Sequence, residues 1–260
     1  MGARGEALHV DDHGRGPPVV LLHGMPSSPD DFAALASRLA RRHRVLVPHL
    51  PGYGRTPSEP GPYSLDGVIE RLGAALAERR VFETAWLAFS GGAYKAVALA
   101  LTRSPVATRM ILLSPVVGLD PDAAEAFRQI AAATRAGTFD PRPTWLDRMT
   151  RPGWAGAHAE GAARVLAWLD AVPLETLCDE LVAAAGAPDL RPRLGELACP
   201  VLVCAGTEDR AVAPTASMAV ATSCARGRMA HLDGCGHAAL LEDFDAVAHL
   251  VESFLAEERA

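Results

Sequence analysis

Lysine is almost missing from this 260-residue chain: Lys95 is the only one, against 31 acidic residues and a formal net charge of -6. The arginines that carry the remaining positive charge are scattered, so no basic stripe is present to follow a phosphate backbone, and no nucleic-acid partner is expected. No stretch is as long and apolar as a membrane span requires, and the first residues, MGARGEALHVDDHG, hold no apolar segment of the kind a secretory leader carries. These absences predict a cytoplasmic protein with no membrane partner. Cysteine is sparse and unpatterned: Cys178, Cys199, Cys204, Cys224 and Cys235 form no CxxC pair and no Cys/His ligand set, and their odd number leaves at least one thiol unpaired. Reduced, mostly buried thiols follow. A Walker-type phosphate loop is missing, no acidic cluster has metal-ligand spacing, and there is no internal repeat. The sequence implies no cofactor and no metal.

What is abundant is apolar surface, with 49% of residues hydrophobic, enough for a large core. Short runs rich in Val and Leu, PPVVLLHG, HRVLVPHL, TAWLAFS and TRMILLSPV, have the continuous apolar character of strands buried on both faces. Between them lie segments with helical spacing: PDDFAALASRLARR, SLDGVIERLGAALAERR and GGAYKAVALALTRS. Strand and helix in alternation predict a mostly parallel sheet built of βαβ units. Near residue 116 the alternation stops. From there to about 192 the chain is Ala-rich and helical, after which strands return with PVLVCAGT and RGRMAHLDG, followed by a last helix in ALLEDFDAVAHLVESFL. The expected organisation is an α/β core of residues 1–116 and 193–260, interrupted by a helical cap at 117–192, as a monomer or homodimer.

Ser90 falls at the break in WLAFSGGAYKAVAL, where a strand ends and a helix begins at once. Ser and Gly are ordinary punctuation at such a turn. A chemical role needs a base to take the hydroxyl proton and a carboxylate to orient that base. Both stand after later strands: Asp209 in CAGTEDR and His237 in LDGCGHAALLED. In a parallel sheet the carboxyl ends of the strands form one edge, where ligands bind. Asp209 is preferred to its neighbour Glu208, and His237, in a loop, to His231 within the strand.

In HGMP (23–26), PGYGRT (51–56), AFSGG (88–92), GTEDR (206–210) and GCGH (234–237), in that order, the chain resembles the α/β-hydrolase fold superfamily over nearly its whole length. The arrangement of the cap is similar to the 3-oxoadipate enol-lactonase and carboxylesterase branch. The resemblance implies the nucleophile elbow at Ser90 and an oxyanion hole formed by the backbone N–H groups of Met25 and Gly91. It also implies a supporting loop at His23 and Gly24, with His23 bracing it by hydrogen bonds. Two departures stand out. Ala88 replaces the first glycine of the usual G-x-S-x-G, and His49-Leu50 stands where the family often has Asp before its P-G-x-G turn. Some relatives place the acid one strand earlier, where this chain has Ser114.

The reading is a serine hydrolase acting on a carboxylic ester, lactone or thioester of a small molecule. A C–C bond hydrolase or a cofactor-free perhydrolase would use the same three residues, and a non-hydrolytic ligand-binding protein or cyclase is the alternative of another class. Dehalogenases and epoxide hydrolases normally carry Asp at the elbow, so Ser90 argues against both. Tyr94, Trp145 and Trp154 are candidates for the pocket lining, with Trp168 beside them, although aromatics in a helical insertion are usually core. Lys95 is expected to be solvated.

Overall fold

The computed structural model describes residues 7–58 and 62–257. Its sheet begins with a strand that no apolar run announces. β1 (Val10–Gly14, VDDHG) buries only Val10 and pairs antiparallel with β3, introduced below, Val10 opposite Pro48 and Gly14 opposite Arg44. An edge strand has one free side, and polar side chains there discourage further pairing. The expected strands follow as β2 (Pro18–Leu22), β3 (Arg44–Pro48), β4 (Glu83–Phe89), β5 (Val106–Leu113), β6 (Val201–Gly206) and β7 (Gly227–Leu232). Together they form a seven-stranded sheet in the order β1-β3-β2-β4-β5-β6-β7, parallel throughout except at β1.

A 3-10 turn at Pro29–Phe32, closed by a Ser28/Asp31 capping box, leads into α1 (Ala33–Leu39), so the expected helix from 29 starts tighter than α-helical. Next come α2 (Leu65–Glu78), capped by Ser64, and α3 (Gly92–Leu101). Between β5 and β6 the chain forms α4 (Pro121–Arg135), α5 (Arg142–Met149), α6 (Trp154–Ala157), α7 (Ala159–Ala171) and α8 (Leu174–Gly186), with no strand among them. The chain ends in α9 (Pro214–Ser223), α10 (Ala239–Glu242) and α11 (Phe244–Ala256). The single last helix expected is therefore two: Asp243 leaves helical geometry (φ -147°, ψ 79°) and its carboxylate accepts the Ala246 amide, restarting the helix.

Strand alternation divides the core in two. Trp86 and Ala88 of β4 pack with Leu72 and Leu76 of α2, Ala93 and Ala96 of α3, and Leu177 and Leu181 of α8. Ala85, Leu87 and Phe89 face the other way, toward Leu35 and Leu39 of α1 and Val247, Val251 and Phe254 of α11. Each fully buried Leu, Val or Phe contributes about 1.5–3 kcal/mol relative to its exposed state. All five cysteines are free and buried, and burial pushes the Cys204 thiol up to about 12. No helix among the described residues is long and apolar enough to cross a membrane.

Candidate active site

Ser90 is the residue that joins β4 to α3, and its backbone is in the left-handed region at φ 49°. Such a conformation costs a non-glycine residue about 1–3 kcal/mol and persists only where neighbours enforce it. Here the Ser90 N–H donates to the Leu113 carbonyl at 2.9 Å, and the Ser90 carbonyl accepts the amides of Ala93 (3.0 Å) and Val116 (3.1 Å). The turn is crowded by backbone on both sides. A Cβ at Gly24 would come within 2.9 Å of the Ser90 Cβ, and one at Gly92 within 2.4 Å of the His23 carbonyl oxygen. Ala88, by contrast, is fully buried in register with Leu22 and Leu112, its methyl in the cluster that holds Ala93 and Ala96 of α3. The helix answers that methyl with small side chains, so glycine is not required at 88.

The Ser90 Oγ lies 3.0 Å from His237 Nε2, and His237 Nδ1 lies 2.9 Å from Asp209 Oδ2. All three are buried: Ser90 is 7% exposed, His237 3% and Asp209 5%. The second Asp209 oxygen accepts the amides of Ala211 (2.9 Å) and Val212 (2.8 Å), which fixes the carboxylate plane. Burial alone raises the Asp209 pKa, but His237 and the hydrogen bond from the Val212 amide outweigh it and hold the carboxyl below its ordinary value. The rivals lie elsewhere, with Glu208 and His231 both exposed. The Phe89 ring sits 4.9 Å from the imidazole and limits its swing.

One supporting residue was not legible in the sequence. Glu242, with its side chain fully buried, accepts the amides of Gly236 at 3.1 Å and Arg151 at 3.2 Å, and so ties the loop before His237 to the segment after α5. The Ala238 amide donates to the Met149 carbonyl at 2.7 Å in the same junction. A glutamate in the apolar ALLED stretch reads as a surface position until α5 is placed against it.

On the other side of Ser90, a Cβ built at Gly91 would lie 3.8 Å from the Met25 amide nitrogen, so these two stretches of backbone adjoin beside the hydroxyl. His23 fixes the first. Its Nε2 accepts the Leu50 amide at 3.2 Å, which places the proton on Nδ1, and Nδ1 donates to the Gly24 carbonyl at 3.0 Å. Burial pushes His23 down from 6.5 to about 4, against the pull of that carbonyl. The unfolded chain binds this proton near 6.5 and the folded one only near 4. Stability is therefore full above 6.5 and falls as pH drops toward 4, by about 1.4 kcal/mol per pH unit. Urea unfolding at pH 7 and pH 5 is expected to show about 2 kcal/mol more acid loss in the wild type than in His23→Gln; equal losses would mean that His23 is not held neutral.

An apolar pocket opens beside His237, lined by Phe32, Phe89, Trp168, Leu240 and Leu241 with Ser27, Ser28 and Asp31 at its edge. Of the tryptophans in the inserted helices, Trp168 is the one that reaches it. Trp145, Trp154 and Tyr94 do not line it: Trp154 stacks on His158 at 4.9 Å, Trp145 packs into the core, and Tyr94 packs on the cluster of α3. The expectation of a solvated Lys95 is overturned. The side chain is 2% exposed and paired with Glu180 of α8, because the face of α3 that carries it is covered by the inserted helices.

His9, Asp11 and His49 bring donor atoms within 4.8 Å of one another at the edge of the sheet. Their protons argue against a cation. The Arg55 amide donates to His49 Nδ1 at 2.9 Å, so the His49 proton is on Nε2, which donates to Asp11 at 3.0 Å; the Arg55 guanidinium binds the same carboxylate. Burial opposes ionisation of Asp11, but His9, His49 and Arg55 bring it down to about 2.

Residues 19–250 match the sequence profile of the Alpha/beta hydrolase family. The pimeloyl-[acyl-carrier protein] methyl ester esterase of Xanthomonas campestris pv. campestris (strain B100) is 33% identical over 96% of this chain and 99% of its own. Its counterpart in Stenotrophomonas maltophilia (strain R551-3) is 31% identical over 96% of each chain. Among solved structures, the enol-lactonase from Burkholderia xenovorans LB400 has the same fold, with a TM-score of 0.88 at 22% identity, covering 96% of each chain.

Proposed function

The chain belongs to the alpha/beta hydrolase family, and from that premise we propose that it cleaves a carboxylic ester through an acyl-enzyme on Ser90. The reading is carried by the hydrogen-bonded chain from Ser90 Oγ through His237 to Asp209. Ser90 Oγ attacks the carbonyl carbon as its proton passes to His237 Nε2, and Asp209 orients the ring and stabilises the imidazolium. The carbonyl oxygen, now an anion, receives the N–H groups of Met25 and Gly91, each of the order of 3 kcal/mol to the barrier. His237 gives its proton to the departing alcohol oxygen as the C–O bond breaks. Water then loses a proton to His237 and attacks the acyl carbon, and Ser90 recovers its proton as the acid leaves.

Identity of 33% over nearly the full length of both chains supports an acyl methyl ester, free or on a carrier protein, as the substrate class. The apolar pocket at Phe89 and Trp168 suits a small or apolar group beside His237. In this reading α4–α8, within residues 117–192, are the cap over a core of 1–116 and 193–260. Five free, buried thiols support a reducing, cytoplasmic setting.

A fluorophosphonate probe followed by peptide mass spectrometry is expected to find its adduct on Ser90; an unlabelled Ser90 in folded protein would remove the reading. A panel of methyl esters, lactones, aryl esters and acyl thioesters is expected to give its highest kcat/KM on methyl esters. Faster turnover of a lactone or thioester would move the substrate class and leave the mechanism in place.

A further inference from the structure

Lys95 lies on α3 five residues after Ser90, and its Nζ donates to Glu180 Oε1 of α8 at 2.7 Å. Both side chains are 2% exposed. Taking two charges out of water is repaid only when further hydrogen bonds satisfy them. Glu180 Oε2 accepts the Tyr53 hydroxyl at 2.5 Å, and Lys95 Nζ stands 5.9 Å from the centre of the Tyr63 ring. Burial first, and the Glu180 charge second, push both tyrosine hydroxyls well above their usual range, so Tyr53 remains a donor.

Through Tyr53 and Lys95 the carboxylate is linked to both backbone segments beside the Ser90 hydroxyl. On one side, the Tyr53 ring lies 4.8 Å from His23, whose Nδ1 holds the carbonyl of Gly24, the residue before Met25. On the other, Lys95 belongs to the helix that starts immediately after Gly91. A second contact seats the same face of α8. Thr176, one turn before Glu180, donates to Ser58 Oγ at 2.9 Å, and a Cβ at Gly52 would come within 2.6 Å of its methyl. α8 is thereby pinned to the loop that carries Tyr53 at two points.

Stability does not explain the pair, since apolar residues of similar volume often replace a buried ion pair without loss. What a forked carboxylate adds is fixed geometry between three elements. The geometry points to Glu180 as a positioning residue that sets the Met25 and Gly91 amides against each other, so that docking of α8 and completion of the anion-binding pair are one event. This rests on the serine-hydrolase reading above.

Two variants test it, Lys95→Met/Glu180→Leu and Tyr53→Phe, with p-nitrophenyl acetate and its thiono counterpart as substrates. A sulfur anion accepts hydrogen bonds poorly, so the ratio of the two rates reports how well the amides are aimed. The double variant is expected to keep its circular dichroism while kcat on the oxygen ester falls at least tenfold, KM stays within threefold, and the ester-to-thiono ratio falls in parallel. Tyr53→Phe is expected to move kcat and the ratio the same way by about threefold. A folded double variant with wild-type kcat and ratio overturns the inference, as does a fall in kcat with the ratio unchanged. If the double variant does not fold, Tyr53→Phe decides by the same two numbers. Fluorophosphonate labelling separates the two failures. A wild type labelled on Ser90 whose variants behave like it loses only the role of Glu180, whereas an unlabelled wild type loses the underlying reading and the inference with it.

Discussion

Ser90→Ala is expected to lower kcat on the best ester by on the order of 10^5-fold while KM changes little. The asymmetry follows from the geometry. Ser90 is only 7% exposed and its hydroxyl is hydrogen-bonded to His237, so in the proposed mechanism removing it takes little from substrate binding and all of the covalent step. The remaining rate, about 10^3-fold or more above that in water, would come from the amides of Met25 and Gly91 acting on an attacking water. His237→Ala should cost about as much, and the double variant scarcely more, because nucleophile and base act as one unit. Steady-state kinetics on the three variants, with fold checked by circular dichroism, measures this. Additive losses in the double variant, or a Ser90→Ala enzyme within about 100-fold of wild type, would mean that the acyl group is not carried by this hydroxyl.

The parts that could be read from the sequence are those set by local rules. Ser90, Asp209 and His237 were legible because each follows an apolar run at the carboxyl end of a strand, and a parallel sheet brings such positions to one edge. β1 was not, since VDDHG at a sheet edge has the polarity of a loop. The break at Asp243 was hidden because ALLEDFDAVAHLVESFL keeps helical periodicity across it, and an aspartate can cap as easily as it can sit on a helix face. Lys95, Glu180 and Glu242 escaped for a common reason. Whether a charged side chain is solvated or buried depends on which element covers it, and the partners lie tens of residues away in sequence: α8 for Lys95, α3 and the Tyr53 loop for Glu180, and the segment after α5 for Glu242. Trp154 and Trp168 are alike in sequence context; only the docking of α7 tells the one that stacks on His158 from the one that lines the pocket.

Asp209→Asn is expected to reduce kcat at neutral pH by about 10^4-fold, although the replacement is nearly isosteric. The amides of Ala211 and Val212 both donate to Asp209 Oδ1. An asparagine must present its carbonyl oxygen to them, which turns its NH2 group toward His237 Nδ1. A donor there forces Nδ1 to accept, so the ring proton moves to Nε2, where it faces Ser90 and leaves no lone pair to take the hydroxyl proton. Substrate binding is untouched, so KM should hold within a few-fold. Stability supplies an independent readout. The Asp209 carboxyl is held below its ordinary value in the fold, so its contribution is full above about 3.8 and is lost as pH falls through the folded pKa. The asparagine variant lacks that titration, and its acid unfolding should be correspondingly shallower below about pH 4. Glu208→Gln, at the exposed neighbouring position, is the control and should leave kcat within about twofold. If Glu208→Gln were the slower enzyme, the acid would have to be reassigned; if Asp209→Asn were within tenfold of wild type, His237 would be oriented without a carboxylate.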